Sequence, residues 1–147
     1  KHNPSSEHIN LFYDQWKHER LVIDKWFSAQ VLTAHPKTLN NVVNNLTSHS
    51  DFTITTPNRV RSVLGAFPAN TAGFHLETGE NYKLFSDWIL KIDPVNPQVG
   101  AKMCSAFETW KRYDPKRQKL IKSQIDRVLN AGSISKDAKE MLNRLIS

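Results

Sequence analysis

The segment YKLFSDWILKIDPVNPQV, at residues 82–99, shows how this chain is organised. Its large apolar residues follow the spacing of one face of an α-helix: Tyr82, Phe85, Trp88, Ile89 and Ile92. Asp93-Pro94 then stops the helix, and Asn96 followed by Pro97 is a typical N-cap and first position of another helix. The segment therefore predicts two consecutive helices joined by a short turn.

Helical spacing also dominates the residues upstream of this segment. Helix starts are predicted near Ser5 or Ser6, Leu21, Pro36 and Pro57. Residues 21–32 carry a wide apolar stripe, which is typical of an inner helix that packs on more than one side. Residues 51–56 are the only β-like stretch and are too few and too polar to found a sheet, and residues 68–79 are predicted to form a loop with at most one short turn of helix.

The C-terminal residues show the same kinds of helix-start and helix-stop signals. Asp114-Pro115 is a second cap-and-proline pair, Asn130-Ala131-Gly132 ends the helix that follows, and Ser135 caps the last one. The helix starts group into pairs about 30–45 residues apart, a spacing typical of α-solenoids. We therefore predict an all-α fold of about eight helices in antiparallel pairs, a HEAT- or armadillo-like superhelix that forms one domain over residues 1–147.

Composition excludes several other classes of protein. Leu, Ile, Val and Phe number 38 of 147 residues, enough for a buried core, whereas the 5 glycines are few for a β-sandwich or barrel. No apolar run approaches the ~18 residues of a membrane span, and no signal-like segment opens the chain. The single cysteine, Cys104, can form neither an internal disulfide nor a cysteine zinc site. We expect a soluble, cytoplasmic protein.

Residues that could carry chemistry form no familiar catalytic pattern. No two of the six histidines lie three or four residues apart, so no helix face offers a pair of imidazoles to a metal. The run from His18 to Val22 begins like the zinc-protease motif H-E-x-x-H but ends in valine. No nucleophile elbow, phosphate-binding glycine loop or dinucleotide fingerprint occurs. We assign no catalytic residue and no metal ligand, and we predict that Cys104, Trp26, Phe27, Trp88 and Trp110 belong to the core.

The net charge of +6 is concentrated in the last third of the chain. Residues 1–98 hold nine basic and nine acidic side chains, and residues 99–147 hold eleven and five. One interpretation is a solvated helix face. The other is a free-standing helical-repeat module that binds nucleic acid or an acidic protein partner through these cations: Lys111, Arg112, Lys116, Arg117, Lys119, Lys122 and Arg127. Only Tyr113 interleaves them, whereas single-strand binding needs several stacking aromatics.

Five blocks of sequence, in order, resemble a single protein family. LVIDKWF at 21–27 resembles the LV-x-DKWF block at the start of the C-terminal helical domain of the aminopeptidase N family, the zinc metalloaminopeptidases of bacterial and plant-like type. The other blocks resemble PNR-x-RS-x-x-G, FH…G-x-GY, NPQVA-R and (K/R)RYD-x-(K/R)RQ, and they stand at 57–65, 74–82, 96–102 and 111–118. This chain departs from the third block at Glu80-Asn81 and from the fourth at Gly100 and Lys102. Together the blocks cover nearly residues 11–147.

The resemblance implies one domain of a larger enzyme. Family members carry a β-rich domain, a thermolysin-like catalytic domain and a small β domain before this superhelix. The zinc-binding H-E-x-x-H helix and the G-A-M-E-N loop that holds the substrate amine belong to the catalytic domain, and neither motif occurs here. The resemblance therefore implies no cofactor in this fragment and zinc in the parent enzyme. Its implied partners are the parent's own catalytic domain and peptide substrates, with no nucleic acid and no membrane.

The same resemblance suggests a role for two cations. In the family the helical domain closes over the catalytic cleft, and arginines from it point into the peptide chamber. Arg61 matches one of them, and Lys102 stands where the family has another. Lysine keeps the charge but loses the two-pronged hydrogen bonding of arginine to a carboxylate. We name Arg61 and Lys102 as candidate substrate-channel residues, and the alternative is that they pair with acids on neighbouring helices.

Overall fold

The computed structural model describes residues 4–147, with side chains from Glu7 onward. The α-helices are α1 (Pro4–Trp16), α2 (Arg20–Thr33), α3 (Leu39–Thr47), α4 (Pro57–Val60), α5 (Ala66–Ala69), α6 (Thr71–Phe74), α7 (Glu80–Ile92), α8 (Pro97–Cys104), α9 (Pro115–Leu129) and α10 (Lys136–Ile146). A π-helical turn, Arg61–Gly65, joins α4 to α5, and two 3₁₀ turns, Ser105–Phe107 and Trp110–Arg112, follow α8. No strand occurs between residues 4 and 147, and the predicted all-α class is confirmed.

Side-chain caps fix three of the predicted helix starts. Asn96, Asp114 and Ser135 each accept a hydrogen bond at 3.2–3.3 Å from the backbone N–H three residues further on. Each cap satisfies a donor that the first turn of a helix cannot pair internally. Short-range sequence chemistry is therefore sufficient to fix the residues at which α8, α9 and α10 begin.

Other predicted boundaries are wrong, each for a local reason. α1 begins at Pro4, so Ser5 and Ser6 lie inside its first turn and do not precede it. α3 begins at Leu39 because the chain first makes a turn closed by a hydrogen bond from the Thr38 N–H to the His35 carbonyl. Pro68 lies within α5, where it follows a π-helical turn that already interrupts the regular hydrogen-bond ladder.

Apolar faces of successive helices meet in one core. α2 contacts α1, α3, the π-helical turn and α5, which confirms the inner position predicted from its wide apolar stripe. Phe67, Phe74 and Phe85 are buried and pack edge to face with ring centroids 5.2–6.0 Å apart. No helix in the described range has the length and apolar character needed to cross a bilayer.

Most of the side chains predicted for the core are buried there. Trp26, Phe27 and Cys104 are buried, and burial raises the pKa of the Cys104 thiol to about 12. Trp88 and Trp110 are half-buried against the margin of the core. The indole N–H of Trp110 donates to the carbonyl of Leu145 at 2.9 Å, which anchors the end of α10.

A buried carboxylate connects the α7–α8 turn to α10. Asp93 is fully buried, and its oxygens accept hydrogen bonds from the backbone N–H of Ser135 at 2.6 Å and from the Ser135 hydroxyl at 2.5 Å. A negative charge at this position also interacts favourably with the dipole of α10. α8 lies so close that a Cβ built on Gly100 would be 2.5 Å from Asp93 Oδ1. One side chain therefore sets the relative positions of α7, α8 and α10.

Asp93→Ala is expected to lower the free energy of unfolding by about 1–3 kcal/mol, because the Ser135 N–H and hydroxyl lose their acceptors. Urea denaturation followed by circular dichroism measures the loss. Asp126→Ala is the matched control, since Asp126 pairs with Lys122 on α9 at 2.8 Å in an i,i+4 pair that is worth only about 0.3–0.5 kcal/mol. Equal losses in the two variants would contradict the structural role of Asp93.

Candidate functional site

Arg61 and Lys102 line the same groove. Arg61 begins the π-helical turn, and Lys102 lies in the last turn of α8. Both side chains are exposed, and the groove between them has a volume of about 240 Å³. Apolar residues form much of its lining: Val60, Leu64, Pro68, Phe85, Val99, Met103 and Ala106. The structure thus brings the two predicted cations, 41 positions apart in the sequence, to one surface.

Both cations keep their charge unpaired. The guanidinium of Arg61 donates to the side-chain oxygen of Asn58 at 2.9 Å, and no ion pair holds Arg61 or Lys102 within the part of the chain that the structure describes. Glu108 also lines the groove, and it too has no ion pair among residues 4–147. The groove therefore presents two cations and one carboxylate that are free to meet a ligand.

The π-helical turn shapes one wall of this groove. π-helical turns occur mostly as single turns and are frequent at functional sites. Here the turn ends at the exposed Gly65, where an added Cβ would meet only the Cβ of Arg61, at 3.8 Å. The surface beside Arg61 is consequently open space.

Arg59 has the opposite environment, although it lies only two residues before Arg61. It is 9% exposed, its Nε donates to Asp24 Oδ1 at 2.7 Å, and its Nη1 donates to the carbonyl of Asp51 at 2.6 Å. The guanidinium also lies 5.0 Å from the ring centroid of Phe27. Arg59 is therefore a structural residue, and the ion pair joins the LV-x-DKWF block to the PNR-x-RS block.

Sequence reasoning did not pair Asp24 with Arg59. The available signal was one acid in the first block and two arginines in the second, and the sequence does not show which arginine pairs with Asp24. The structure extends this cluster to Asp51, whose carbonyl accepts from Arg59, and to Tyr13, whose hydroxyl donates to the carboxylate of Asp51 in a short hydrogen bond. That hydrogen bond, with burial, raises the pKa of Tyr13 to about 12. Tyr13 is therefore neutral at physiological pH and fastens α1 to the loop before α4.

His75 is the centre of a second cluster, which joins the FH…G-x-GY and RYD blocks. Its Nδ1 lies 2.8 Å from the hydroxyl of Tyr82, and its ring stacks on Tyr113 with centroids 4.1 Å apart. Arg117 Nε donates to the His75 carbonyl at 2.6 Å. Burial, and secondly the charge of Arg117, lower the pKa of His75 to about 4. The imidazole is therefore neutral at physiological pH and acts as a packing group.

The basic residues between 111 and 127 are largely engaged by their neighbours. Four ion pairs occur there: Lys116–Glu77, Arg117–Asp114, Lys122–Asp126 and Arg127–Asp87. Lys111 donates to the carbonyl of Ser147 at 3.0 Å, and Tyr113 is stacked on His75 and so is not free to stack on a base. These contacts favour a solvated, internally paired helix face over a surface for nucleic acid.

The described residues do not fit a zinc site. Between residues 4 and 147, no three His, Cys, Asp or Glu side chains are placed to hold a metal ion. His18, which begins the incomplete zinc-protease motif, is exposed in the turn after α1, and Cys104 is buried. We assign no chemical step of this chain to a metal.

These features define a class of protein: an all-α helical-repeat domain with a cationic, apolar-floored groove. Residues 1–147 match the family DUF3458_C, described as a domain of unknown function with ARM repeats. The chain belongs to this family, and with it to the C-terminal domain of the aminopeptidase N family. The resemblance drawn from the five sequence blocks is thereby confirmed.

Individual relatives agree with this assignment. The chain is 34% identical over 144 residues to aminopeptidase N of Caulobacter vibrioides and 33% identical over 135 residues to aminopeptidase N of Escherichia coli. The alignments cover 97% and 91% of this chain but only 17% and 15% of those proteins. The crystal structure of Legionella pneumophila aminopeptidase A in complex with aspartic acid matches with a TM-score of 0.87 and 32% identity, over 94% of this chain and 16% of that one. The chain thus spans about a sixth of the length of these relatives.

Arg59→Ala is expected to lower the free energy of unfolding by about 1.5–3 kcal/mol, because Asp24 and the Asp51 carbonyl lose a charged donor. Arg61→Ala should change it by no more than about 0.5 kcal/mol, since Arg61 is exposed and has only an exposed hydrogen bond to Asn58. Chemical denaturation of both variants measures the difference. Similar losses in the two variants would contradict the assignment of a structural role to Arg59 and not to Arg61.

The lowered pKa of His75 is expected to make stability depend on pH. Because the folded-state pKa, about 4, lies below the ordinary 6.5, the unfolded state binds more protons between these two values. The free energy of unfolding should therefore fall as the pH is lowered through this window. His75→Gln does not titrate and should flatten this part of the profile, whereas His18→Gln at an exposed site should not. Thermal melts from pH 4 to 7 provide the measurement, and parallel profiles for wild type and His75→Gln would contradict the prediction.

Proposed function

We propose that this chain is the non-catalytic C-terminal helical domain of a zinc aminopeptidase that removes N-terminal residues from peptides. In that enzyme the domain caps the catalytic cleft, walls the peptide chamber and presents Arg61 and Lys102 to the substrate. The observation that carries the proposal is the groove, where two exposed and unpaired cations from separate helical segments meet in a domain whose relatives are aminopeptidases.

A free carboxylate is the part of a peptide that these cations would attract. A peptide that enters with its N-terminus towards the catalytic domain carries that carboxylate at its trailing end. Cations that line a cleft raise the local concentration of such a ligand. Arg61 can also donate two parallel hydrogen bonds to one carboxylate, whereas Lys102 acts as a point charge.

The contribution of this domain is therefore capture and orientation. The zinc and the hydrolytic step belong to the parent's catalytic domain, which is also the domain's principal partner. A cytoplasmic location is part of the proposal.

Arg61→Ala in the full-length enzyme is expected to lower kcat/KM for peptides with a free C-terminal carboxylate by about 1–3 kcal/mol in transition-state binding, the range of a charge-assisted hydrogen bond. Hydrolysis of small aminoacyl amides should be unaffected, because they have no carboxylate to lose. Lys119→Ala is the matched control, since Lys119 is exposed on α9 outside the groove. Equal losses for peptides and amides in the Arg61 variant would show a structural effect and refute carboxylate capture.

Lys102→Arg provides a test in the opposite direction. It restores the forked donor of the family's arginine, so peptide turnover should stay unchanged or improve. Steady-state kinetics with the same peptides measures the change. A selective loss with carboxylate-bearing peptides would show that Lys102 does not face the carboxylate.

A further inference from the structure

We propose that a polar cavity between the start of α2 and the loop before α4 binds a free α-amino acid through its carboxylate and its ammonium group. The cavity has a volume of about 400 Å³ and lies beside the Arg59–Asp24 ion pair. It shares no lining residue with the groove of Arg61 and Lys102. An amino-acid site here goes beyond the proposed function, and its test does not depend on that groove.

Charges of both signs line the cavity. They are the cations Arg20 and Arg59 and the carboxylates Asp24 and Asp51, which sum to zero. An anion or a cation would therefore meet as many repulsive groups as attractive ones, whereas a zwitterion can place each charge beside its opposite. Opposite charges lie side by side here, since Nε of Arg59 is 2.7 Å from Oδ1 of Asp24. An α-amino acid matches this close spacing, because the same carbon atom bears both of its charged groups.

The buried ion pair leaves hydrogen-bonding atoms unused. Arg59 is only 9% exposed, and its Nε and Nη1 donate to Asp24 and to the Asp51 carbonyl, but its Nη2 donates to no group of the described residues. Oδ2 of Asp24 likewise accepts no hydrogen bond from that part of the chain. Neither atom is fully buried, so both remain accessible beside the cavity that their residues line. A carboxylate and an ammonium group are the partners that these two atoms lack.

Arg20 supplies a second donor for the carboxylate. It is exposed at the first position of α2, and it forms no ion pair and no side-chain hydrogen bond within residues 4–147. The helix dipole disfavours a cation at the N-terminus of a helix, so this placement does not stabilise α2. Its guanidinium is free to donate two parallel hydrogen bonds to a carboxylate. Ser50, Thr53 and Thr56 add hydroxyl groups to the wall, which makes a small polar amino acid a suitable probe.

The test measures backbone hydrogen exchange in the full-length protein that contains this chain while serine is titrated. Fragments that cover residues 20–24 and 50–58 report on the cavity itself, and a fragment from α10 serves as the internal reference. At about ten times the half-saturating serine concentration, exchange in the cavity fragments should be about tenfold slower, because openings that release the ligand become rarer by that factor. The α10 fragment should not change.

Two analogues of serine test the need for both charges. Ethanolamine has the hydroxyl and the ammonium group of serine but no carboxylate, and glycerate has a hydroxyl in place of the ammonium group. Neither should slow exchange in the cavity fragments at a concentration at which serine saturates them. Equal protection by either analogue would overturn the assignment of a zwitterion site.

Arg20→Ala removes one carboxylate donor and leaves the buried ion pair in place. It should raise the half-saturating serine concentration by at least about tenfold, as expected for a lost hydrogen bond to a charged group. Lys25→Ala is the matched control, since Lys25 is exposed on the same helix outside the cavity, and it should bind serine as the wild type does. The proposal is overturned if serine protects neither cavity fragment in the wild type, or if Arg20→Ala and Lys25→Ala respond alike. The comparison of serine with its analogues uses the wild type alone, so it holds even if a variant does not fold.

Discussion

The buried carboxylate of Asp93 is the constraint on which the C-terminal half of the structure depends. It ends α7, lies against the bare backbone of α8 at Gly100, and accepts the hydrogen bonds that begin α10 at Ser135. A buried carboxylate left without donors is costly, so these three helices cannot separate independently. The floor of the groove depends on the same contact, because Phe85 comes from α7 and Val99 and Met103 come from α8. The hydrogen bonds of Asp93 thus stabilise the groove that is proposed to contact the substrate, although Asp93 itself does not line it.

Several residues of the sequence blocks that identify the family stabilise the fold by contacting one another. Asp24 and Arg59 join two blocks in one ion pair, and His75 joins two more through Tyr82 and Arg117. These groups are paired or buried, so they stabilise the domain. The functional proposal depends on the groove outside these clusters, where no acid among the described residues forms an ion pair with Arg61 or Lys102. Similarity at these paired residues therefore reports the fold, whereas the functional proposal depends on Arg61 and Lys102 of the same blocks.

Local chemistry was predictable from the sequence, and non-local geometry was not. Caps such as Ser135 act over three residues, and helical spacing acts over one turn, so the all-α class and three helix starts follow from neighbouring residues alone. The π-helical turn has no such local signal, and Arg59 and Arg61 share one block yet differ completely in burial. Which of them is free depends on Asp24, 35 residues away, and only the folded chain brings that partner into place.

The missing side chain at Gly100 has a consequence for how this family varies. The resembling block has alanine at this position, and a Cβ here would lie 2.7 Å from the Cα of Asp93. A relative with alanine must therefore hold α8 further from the α7–α8 turn. Because an α-helix moves as a unit, the basic residue at position 102 moves with it. The positions of Asp93, Gly100, Lys102 and Ser135 are consequently coupled through the packing of α8. Gly100→Ala made alone in this chain would therefore displace α8 from Asp93 and move Lys102 with it.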